Sequence, residues 1–206
     1  KHLYEEVFYV LSGNGSTAVE LPDGTTHTFE WGSKALFALP LNCSYQHFNG
    51  SGQEPARLHS TNNMPMVINL FHQEEFVFSN PCNFEDRIGN TDFFSGDGEF
   101  IPKRPGRHMW ETNFVPALDE FELKQWDARG GGSSNIMFVL ADGTMHAHCS
   151  EMPVGTYKKA HRHGADFHVM CNTGCGYSLL WYENEEFVKV DWEHGTVFAP
   201  PDMMFH

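Results

Sequence analysis

The sequence predicts an all-β protein made of two small tandem barrels. Three observations carry that expectation: an internal duplication, a rhythm of short strands closed by turns, and the near absence of helical periodicity. Shifting the chain by 161 residues superposes His2 on His163, Gly13 on Gly174, Gly15 on Gly176, Trp31 on Trp192, Phe37 on Phe198, Ala38 on Ala199 and Pro40 on Pro201 without a gap. Glycine and proline hold specialised backbone roles, so their recurrence at one offset marks a true repeat.

Each copy reads as strands. In the first, Val7 to Leu11 is a β-rich run closed by Ser12-Gly13-Asn14-Gly15. A second run reaches Leu21, Pro22-Asp23-Gly24 turns the chain, and Thr25 to Trp31 resumes extended structure. The second copy has the same rhythm: His168 to Cys171, the turn Asn172 to Gly176, Tyr177 to Tyr182, the polar turn Glu183 to Glu186, then Phe187 to Trp192. Such spacing suits a sandwich or a small barrel. Between the copies lies a stretch of different composition, rich in glycine, proline and aromatic residues. Its aromatics (Phe93, Phe94, Phe100, Trp110, Phe114, Phe121, Trp126) predict that most of it packs onto the barrels, with Gly130 to Gly132 as its flexible end. A short helix is expected around Leu118 to Trp126. Ile136 to Leu140 and Thr144 to His148, on either side of Asp142-Gly143, read as the opening strands of the second barrel. The expected organisation is a first barrel over 1–71, a partly ordered linker over 72–134 and a second barrel over 135–206.

Composition narrows the function. Thirteen Lys plus Arg against 27 Asp plus Glu give a net charge of −14, which repels phosphate backbones and anionic lipid and predicts no nucleic-acid partner. The longest apolar runs fall far short of the roughly 20 residues of a membrane span. Five scattered cysteines without a CxxC spacing fit free thiols in a reducing compartment, so the cytoplasm is the expected location. Eighteen Phe predict a wide apolar interior, and 13 His are a surplus of neutral nitrogen ligands.

The placement of those histidines points to a metal. His161-Arg162-His163 lies on an extended segment, where side chains two apart share a face, so both imidazoles reach one ion while Arg162 points away. His206 follows His163 by 43 residues, past a turn and two strands, a natural return distance for an antiparallel neighbour. Three neutral histidines with open positions suit Fe(II), Mn(II) or related ions. A second HxH, His146 and His148, has no further ligands in view and reads as pocket lining or surface. His59 and His72 read as structural, the matched Trp31 and Trp192 as barrel packing, and Lys103 to Arg107 as a solvated loop.

These spacings carry a family resemblance. Gly155 followed after five residues by His161-Arg162-His163 and then Gly174 resembles the first cupin motif. Gly195 followed after five residues by Pro201 and then His206 resembles the second. In the first copy His2, Glu6 and Gly13 are similar to the latter part of the first motif, and Pro40 to Asn49 occupies the second. The chain thus resembles a bicupin over roughly 1–70 and 135–206, which implies two jelly-roll-like barrels. The chain begins inside one motif and ends on a ligand of another, so it is expected to be truncated at both ends, with sheet edges left open.

The resemblance also implies roles, and departures from it. A Glu normally follows the histidine pair as a fourth ligand. The repeat register puts Phe167 there in copy two, and His168 joins only if a bulge turns it inward. Copy one keeps Glu6, but Tyr45 stands where copy two has His206. Tyr45, His47 and Asn49 share parity, so His47 is a possible substitute, and a weakened or metal-free pocket is the other reading. The candidate metal ligands are therefore His161, His163, His206 and secondarily His168 in the second barrel, with His2, Glu6, Tyr45 and His47 in the first. Three histidines without a carboxylate on a tandem scaffold look most like the gentisate-type Fe(II) dioxygenases that cleave hydroxylated aromatic acids. Arg57, Arg107 and Arg129 are candidates to pair the acid's carboxylate. The alternatives are another metal-dependent cupin reaction at Mn(II), Fe(II), Ni(II) or Zn(II) (isomerase, lyase or decarboxylase), or a non-catalytic binding bicupin. The implied partners are a small-molecule substrate and a second copy in a homodimer.

Overall fold

A computed structural model describes residues 1–85, 91–104 and 107–206, with side chains undescribed at 102–104 and 107. Positions 105 and 106 of the basic cluster expected to form a solvated loop, and the Arg107 side chain, lie outside the described residues. The chain divides into two compact units, residues 1–126 with 134–151 and residues 127–133 with 152–206.

Within the first unit, the first copy of the repeat forms two antiparallel sheets. Its strands are β1 (Glu6–Ser12), β2 (Gly15–Glu20), β3 (Thr26–Trp31), β4 (Leu36–Ala38), β5 (Tyr45–Asn49) and β6 (Arg57–Asn62). β2 lies between β3 and β5 in one sheet, while β6, β1 and β4 run side by side in the other. In β2 the alternation is strict: Gly15, Thr17 and Val19 are buried and the residues between them less so, as period-two geometry requires. Phe8, Val10, Val19, Phe29, Trp31 and Phe37 form the core, joined by Phe94 and Phe114 from the intervening stretch. The expectation that its aromatics pack inward holds for these two.

The intervening stretch is more regular than a linker. It contains the helix α2 (Glu74–Phe78), which follows α1 (Met64–Phe71), and the strands β7 (Glu99–Arg104), β8 (Arg107–Thr112), β9 (Phe114–Val115) and β10 (Lys124–Gln125). β9 extends the β1 sheet by pairing with β4. Neither helix was expected. α1 starts with proline in its first turn, the Met64 N–H donates to Asn62 Oδ1 at 3.2 Å, and His72 closes it in the left-handed conformation with its N–H on the Ile68 carbonyl. Conversely, the helix expected over 118–126 is absent. The Leu118 N–H donates across to the Lys34 carbonyl at 3.1 Å and Asp119 pairs with Lys34 at 2.6 Å, so that segment is tied to a neighbour instead of coiling on itself.

The hairpin of β11 (Ser134–Leu140) and β12 (His146–Glu151), expected to open the second barrel, sits in the first unit. β11 runs parallel to β8, Met137 opposite Met109. Its tip is latched by Glu5, whose carboxylate accepts the Thr144 and Met145 N–H groups and the Thr144 hydroxyl.

The second unit holds β13 (Val169–Met170), β14 (Cys175–Leu180), β15 (Val188–Glu193) and β16 (Val197–Phe198), paired β13 with β16 and β14 with β15. The duplication persists at atomic detail. Phe8 faces Phe37 across β1 and β4, and Val169 faces Phe198 across β13 and β16, each pair 161 residues from the other. Gly15 lies opposite Trp31, and Gly176 opposite Trp192. In both copies the indole N–H reaches a hydroxyl two residues after the glycine, Thr17 at 2.8 Å and Ser178 at 3.2 Å. Even the left-handed residues correspond, Lys34 with Gly195 and Asn42 with Met203.

All five cysteines are free thiols, and no helix among the described residues is long and apolar enough to cross a membrane.

The paired tryptophans explain the matched glycines. A Cβ on Gly15 collides with the Phe48 carbonyl oxygen and the Trp31 ring, and one on Gly176 lies 2.6 Å from the Trp192 ring. Gly15→Ala is expected to destabilise the chain by about 2–3 kcal/mol, and Gly176→Ala, whose tryptophan is only half-buried, by about 1 kcal/mol, read from urea unfolding. Glu5→Ala should cost about 1 kcal/mol in the same assay, because the latch is solvent-screened.

Candidate metal centre

Backbone pairing brings the three histidines together. The His161 N–H donates to the His206 carbonyl and the His206 N–H to the His161 carbonyl, both at 3.1 Å, so the two residues face each other in a reciprocal antiparallel ring. His163 lies two residues on, with its carbonyl accepting the Met203 N–H at 3.4 Å. The ring centroids are separated by 4.3 Å for His161 and His206, 5.2 Å for His163 and His206 and 5.6 Å for His161 and His163. One ligand nitrogen from each can be chosen so that all lie within 4.8 Å of one another. Metal–nitrogen bonds of about 2 Å need nitrogens some 3–3.5 Å apart, so small rotamer changes complete the site. The set fits a divalent ion.

The tautomers fit as well. Nδ1 of His163 lies 3.1 Å from the Ala165 carbonyl and Nδ1 of His206 lies 3.1 Å from the Met204 carbonyl. A carbonyl accepts only N–H, so both rings carry hydrogen on Nδ1 and leave the Nε2 lone pair for a ligand role. Nδ1 of His161 is buried without a well-formed hydrogen bond. Burial pushes the His161 imidazole down to about 4, assisted by the positive charges of Arg129, His206 and Lys158 and opposed by the Lys159 carbonyl. Burial likewise lowers His206, with His163, Lys158 and Arg129 acting in the same direction against the Met204 carbonyl. Both imidazoles are thereby kept neutral, the form that binds a metal.

The surroundings follow the repeat register. Phe167, at the register position of the fourth ligand, a carboxylate in the cupin motif, packs on His163 at 4.7 Å and on His206 at 4.8 Å. His168 is exposed and stands outside the three-histidine group. Arg162 turns away, 3.7 Å from Glu183 and stacked at 4.7 Å over Phe205.

The corresponding place in copy one holds a different arrangement on the same frame. His2 Nδ1 donates to the Tyr4 carbonyl at 2.9 Å, the equivalent of the bond from His163 to Ala165. Its Nε2 lies 3.0 Å from the Tyr45 hydroxyl, which donates to Glu6 at 3.0 Å, and Ser60 donates to the other Glu6 oxygen. Burial alone would raise the Glu6 carboxyl, but the hydrogen bonds from His2, Ser60 and Tyr45 outweigh it and hold the group below the ordinary range. Tyr45 is pushed up by burial and by the Glu6 charge. His47 turns elsewhere: its Nδ1 lies 2.8 Å from the Thr17 hydroxyl that also accepts the Trp31 indole N–H. Glu6 is thus the centre of a closed hydrogen-bond network. Among the described residues, the His161, His163 and His206 set is the one group of three or more His, Cys, Asp or Glu with converging ligand atoms.

The remaining sequence candidates separate clearly. His146 and His148 share the exposed face of β12 and gather no third ligand among the described residues. Arg57 is exposed on β6. The charge of Arg129 disfavours protonation of His161 and His206, as does that of Lys158, which sequence reasoning missed because no motif spacing marks it.

No family model and no curated protein sequence matches the chain. Solved structures do match. The oxalate decarboxylase of Lactobacillus farciminis in its formate complex is similar at a TM-score of 0.56 and 11% identity, over 99% of this chain and 66% of that one. A single-residue variant of the Bacillus subtilis oxalate decarboxylase is similar at 0.50 and 13%, over 99% and 59%. The coconut allergen cocosin is similar at 0.52 and 12%, over 98% and 68%. The chain spans 59% and 66% of the length of these two oxalate decarboxylases. These neighbours are bicupins. At such identities the likeness is one of fold, and the chain has a predominantly β, cupin-type fold.

Proposed function

We propose that the chain is a metal-dependent enzyme of cupin fold acting on a small carboxylic acid, with one divalent ion held by His161, His163 and His206. The observation that carries this reading is the convergence of three imidazoles, two of them fixed by backbone carbonyls in the ligating tautomer. When bound, the ion supplies Lewis acidity and open positions for a carboxylate. The three histidines hold it without adding negative charge, so its double charge favours an anionic co-ligand. Phe167 gives this side of the site an apolar wall against His163 and His206.

Lyase chemistry of the decarboxylating kind leads, because the solved structures of similar fold include oxalate decarboxylases. A second reading, Fe(II)-dependent oxygenation of a hydroxylated aromatic acid, is favoured by Phe167, which leaves a purely three-histidine ligand set. An oxygen electrode separates the two: the first releases carbon dioxide without net oxygen uptake, the second consumes oxygen in step with substrate.

Elemental analysis of the purified chain should find about one divalent ion per chain. His161→Ala and His206→Ala should each lower metal affinity at least about 100-fold while the metal-free proteins unfold near the wild-type midpoint, since these side chains stand half-exposed on the surface of their unit. Retention of the ion by both variants would sink the assignment. Tyr45→Phe should keep the metal and lose about 1–2 kcal/mol of stability, because Glu6 then loses a donor while staying half-buried.

A further inference from the structure

A pair of thiols in the second copy lies apart from the histidine triad. Cys171 follows β13, Cys175 opens β14, and the turn Asn172-Thr173-Gly174 joins them. Cys171 is buried and Cys175 is exposed. The Cys171 thiol donates to the Thr173 carbonyl oxygen at 3.3 Å and lies 3.7 Å from that of Gly174. The Gly174 carbonyl is bonded to the Cys175 nitrogen, so planar peptide geometry puts the Cys171 sulfur within about 6.5 Å of the Cys175 Cα. The buried sulfur thus folds back under the turn, towards the residue that carries the exposed one.

The repeat shows that the turn needs neither sulfur. Val10 and Asn14 hold the two positions in the first copy. There the Val10 N–H donates to the Ala35 carbonyl at 2.9 Å and the Val10 carbonyl accepts the Lys34 N–H at 2.7 Å; Cys171 makes the same two bonds with Thr196 and Gly195, both at 3.0 Å. Each turn carries a left-handed glycine, Gly13 or Gly174. Each is also held by a side chain, Ser33 on the Leu11 carbonyl at 3.3 Å and His194 on the Asn172 carbonyl at 2.7 Å. One backbone frame therefore carries a valine and an asparagine in one copy and two thiols in the other. Burial, with Cys175 and Glu193 nearby, raises the Cys171 thiol, which leaves the exposed thiol to meet a reagent first.

We propose that Cys171 and Cys175 form a reversible dithiol–disulfide site across this turn, with a small-molecule disulfide as its oxidant. The Cys175 thiolate attacks one sulfur of the small disulfide, forming a mixed disulfide and releasing one small thiolate. Cys171 then gives up its proton and attacks the Cys175 sulfur, expelling the second small thiolate. The two released thiolates take up the protons that the cysteines lost, so two protein thiols are oxidised and one small disulfide is reduced to two thiols. The new bond ties the end of β13 to the start of β14. The site stands whether or not the triad holds an ion.

The test incubates the full, reduced chain with graded mixtures of reduced and oxidised glutathione, quenches in acid and reads the peptide carrying both cysteines by mass spectrometry. The wild-type peptide should lose two hydrogens and keep no glutathione, and dithiothreitol should restore both thiols. The equilibrium constant for closure should be at least about ten-fold larger in the folded chain than in the chain unfolded in urea, because the turn holds the thiols at high effective concentration. Cys171→Val and Cys175→Asn carry the first copy's residues at these positions. In Cys171→Val the glutathione should stay on Cys175, and in Cys175→Asn the buried Cys171 should stay unmodified while the chain is folded. Glutathione that persists on Cys175 in the wild-type chain, or that attaches to Cys171 in folded Cys175→Asn, overturns the proposal. So does a closure constant no larger in the folded chain than in the unfolded one, a comparison that needs only the wild-type chain and decides the matter if a variant fails to fold.

Discussion

The contact on which each copy of the repeat depends is a tryptophan laid across a glycine on the neighbouring strand. A strand pair can slip by one residue at little backbone cost, and a slip would turn every inward side chain outward. Trp31 over Gly15 and Trp192 over Gly176 forbid it, because only a residue without a side chain leaves room for the indole. The indole N–H then needs an acceptor, and Thr17 or Ser178 supplies it from the same face of the same strand. Two unlike sequences thus solve the same register problem with one sterically exclusive pair and one hydrogen bond.

On that shared frame the two copies have diverged in charge logic. In the first, a half-buried carboxylate is the focus, and a tyrosine, a serine and a histidine direct their polar groups at it. In the second, a phenylalanine replaces the carboxylate and a histidine replaces the tyrosine, so the polar groups that remain are lone pairs with nothing to accept. The first arrangement completes itself. On the metal reading proposed above, the second is completed by an electrophile from outside the chain.

Much of this was legible in the sequence, and the limits have physical causes. The duplication, the strand rhythm, the pairing of His161 with His163 and His206, and the aromatic residue at the carboxylate position all follow from spacing, because period-two geometry converts sequence separation into shared faces. The home of the hairpin over 134–151 was not legible: its alternation announces strands, but the parallel partner β8 is a long-range choice that no local pattern encodes. The helix α1 was hidden because Met64 to Phe71 has no polar face to set a helical period, and its caps are backbone and asparagine bonds reached through folding. The backbone bond from the Lys159 N–H to the Arg129 carbonyl joins two irregular segments, which no spacing rule describes.

The reciprocal backbone bonds between His161 and His206 give the site a kinetic character. Two of its three imidazoles hang on one hydrogen-bonded ring of the second unit, outside its named strands. On the metal reading proposed above, fraying of that ring would separate the ligands, and escape of a bound ion would be gated by that local opening. An ion in place ties the two strands across the same ring, and exchange of the His161 and His206 amides slows with it. Residence time and edge protection are then two measures of one motion.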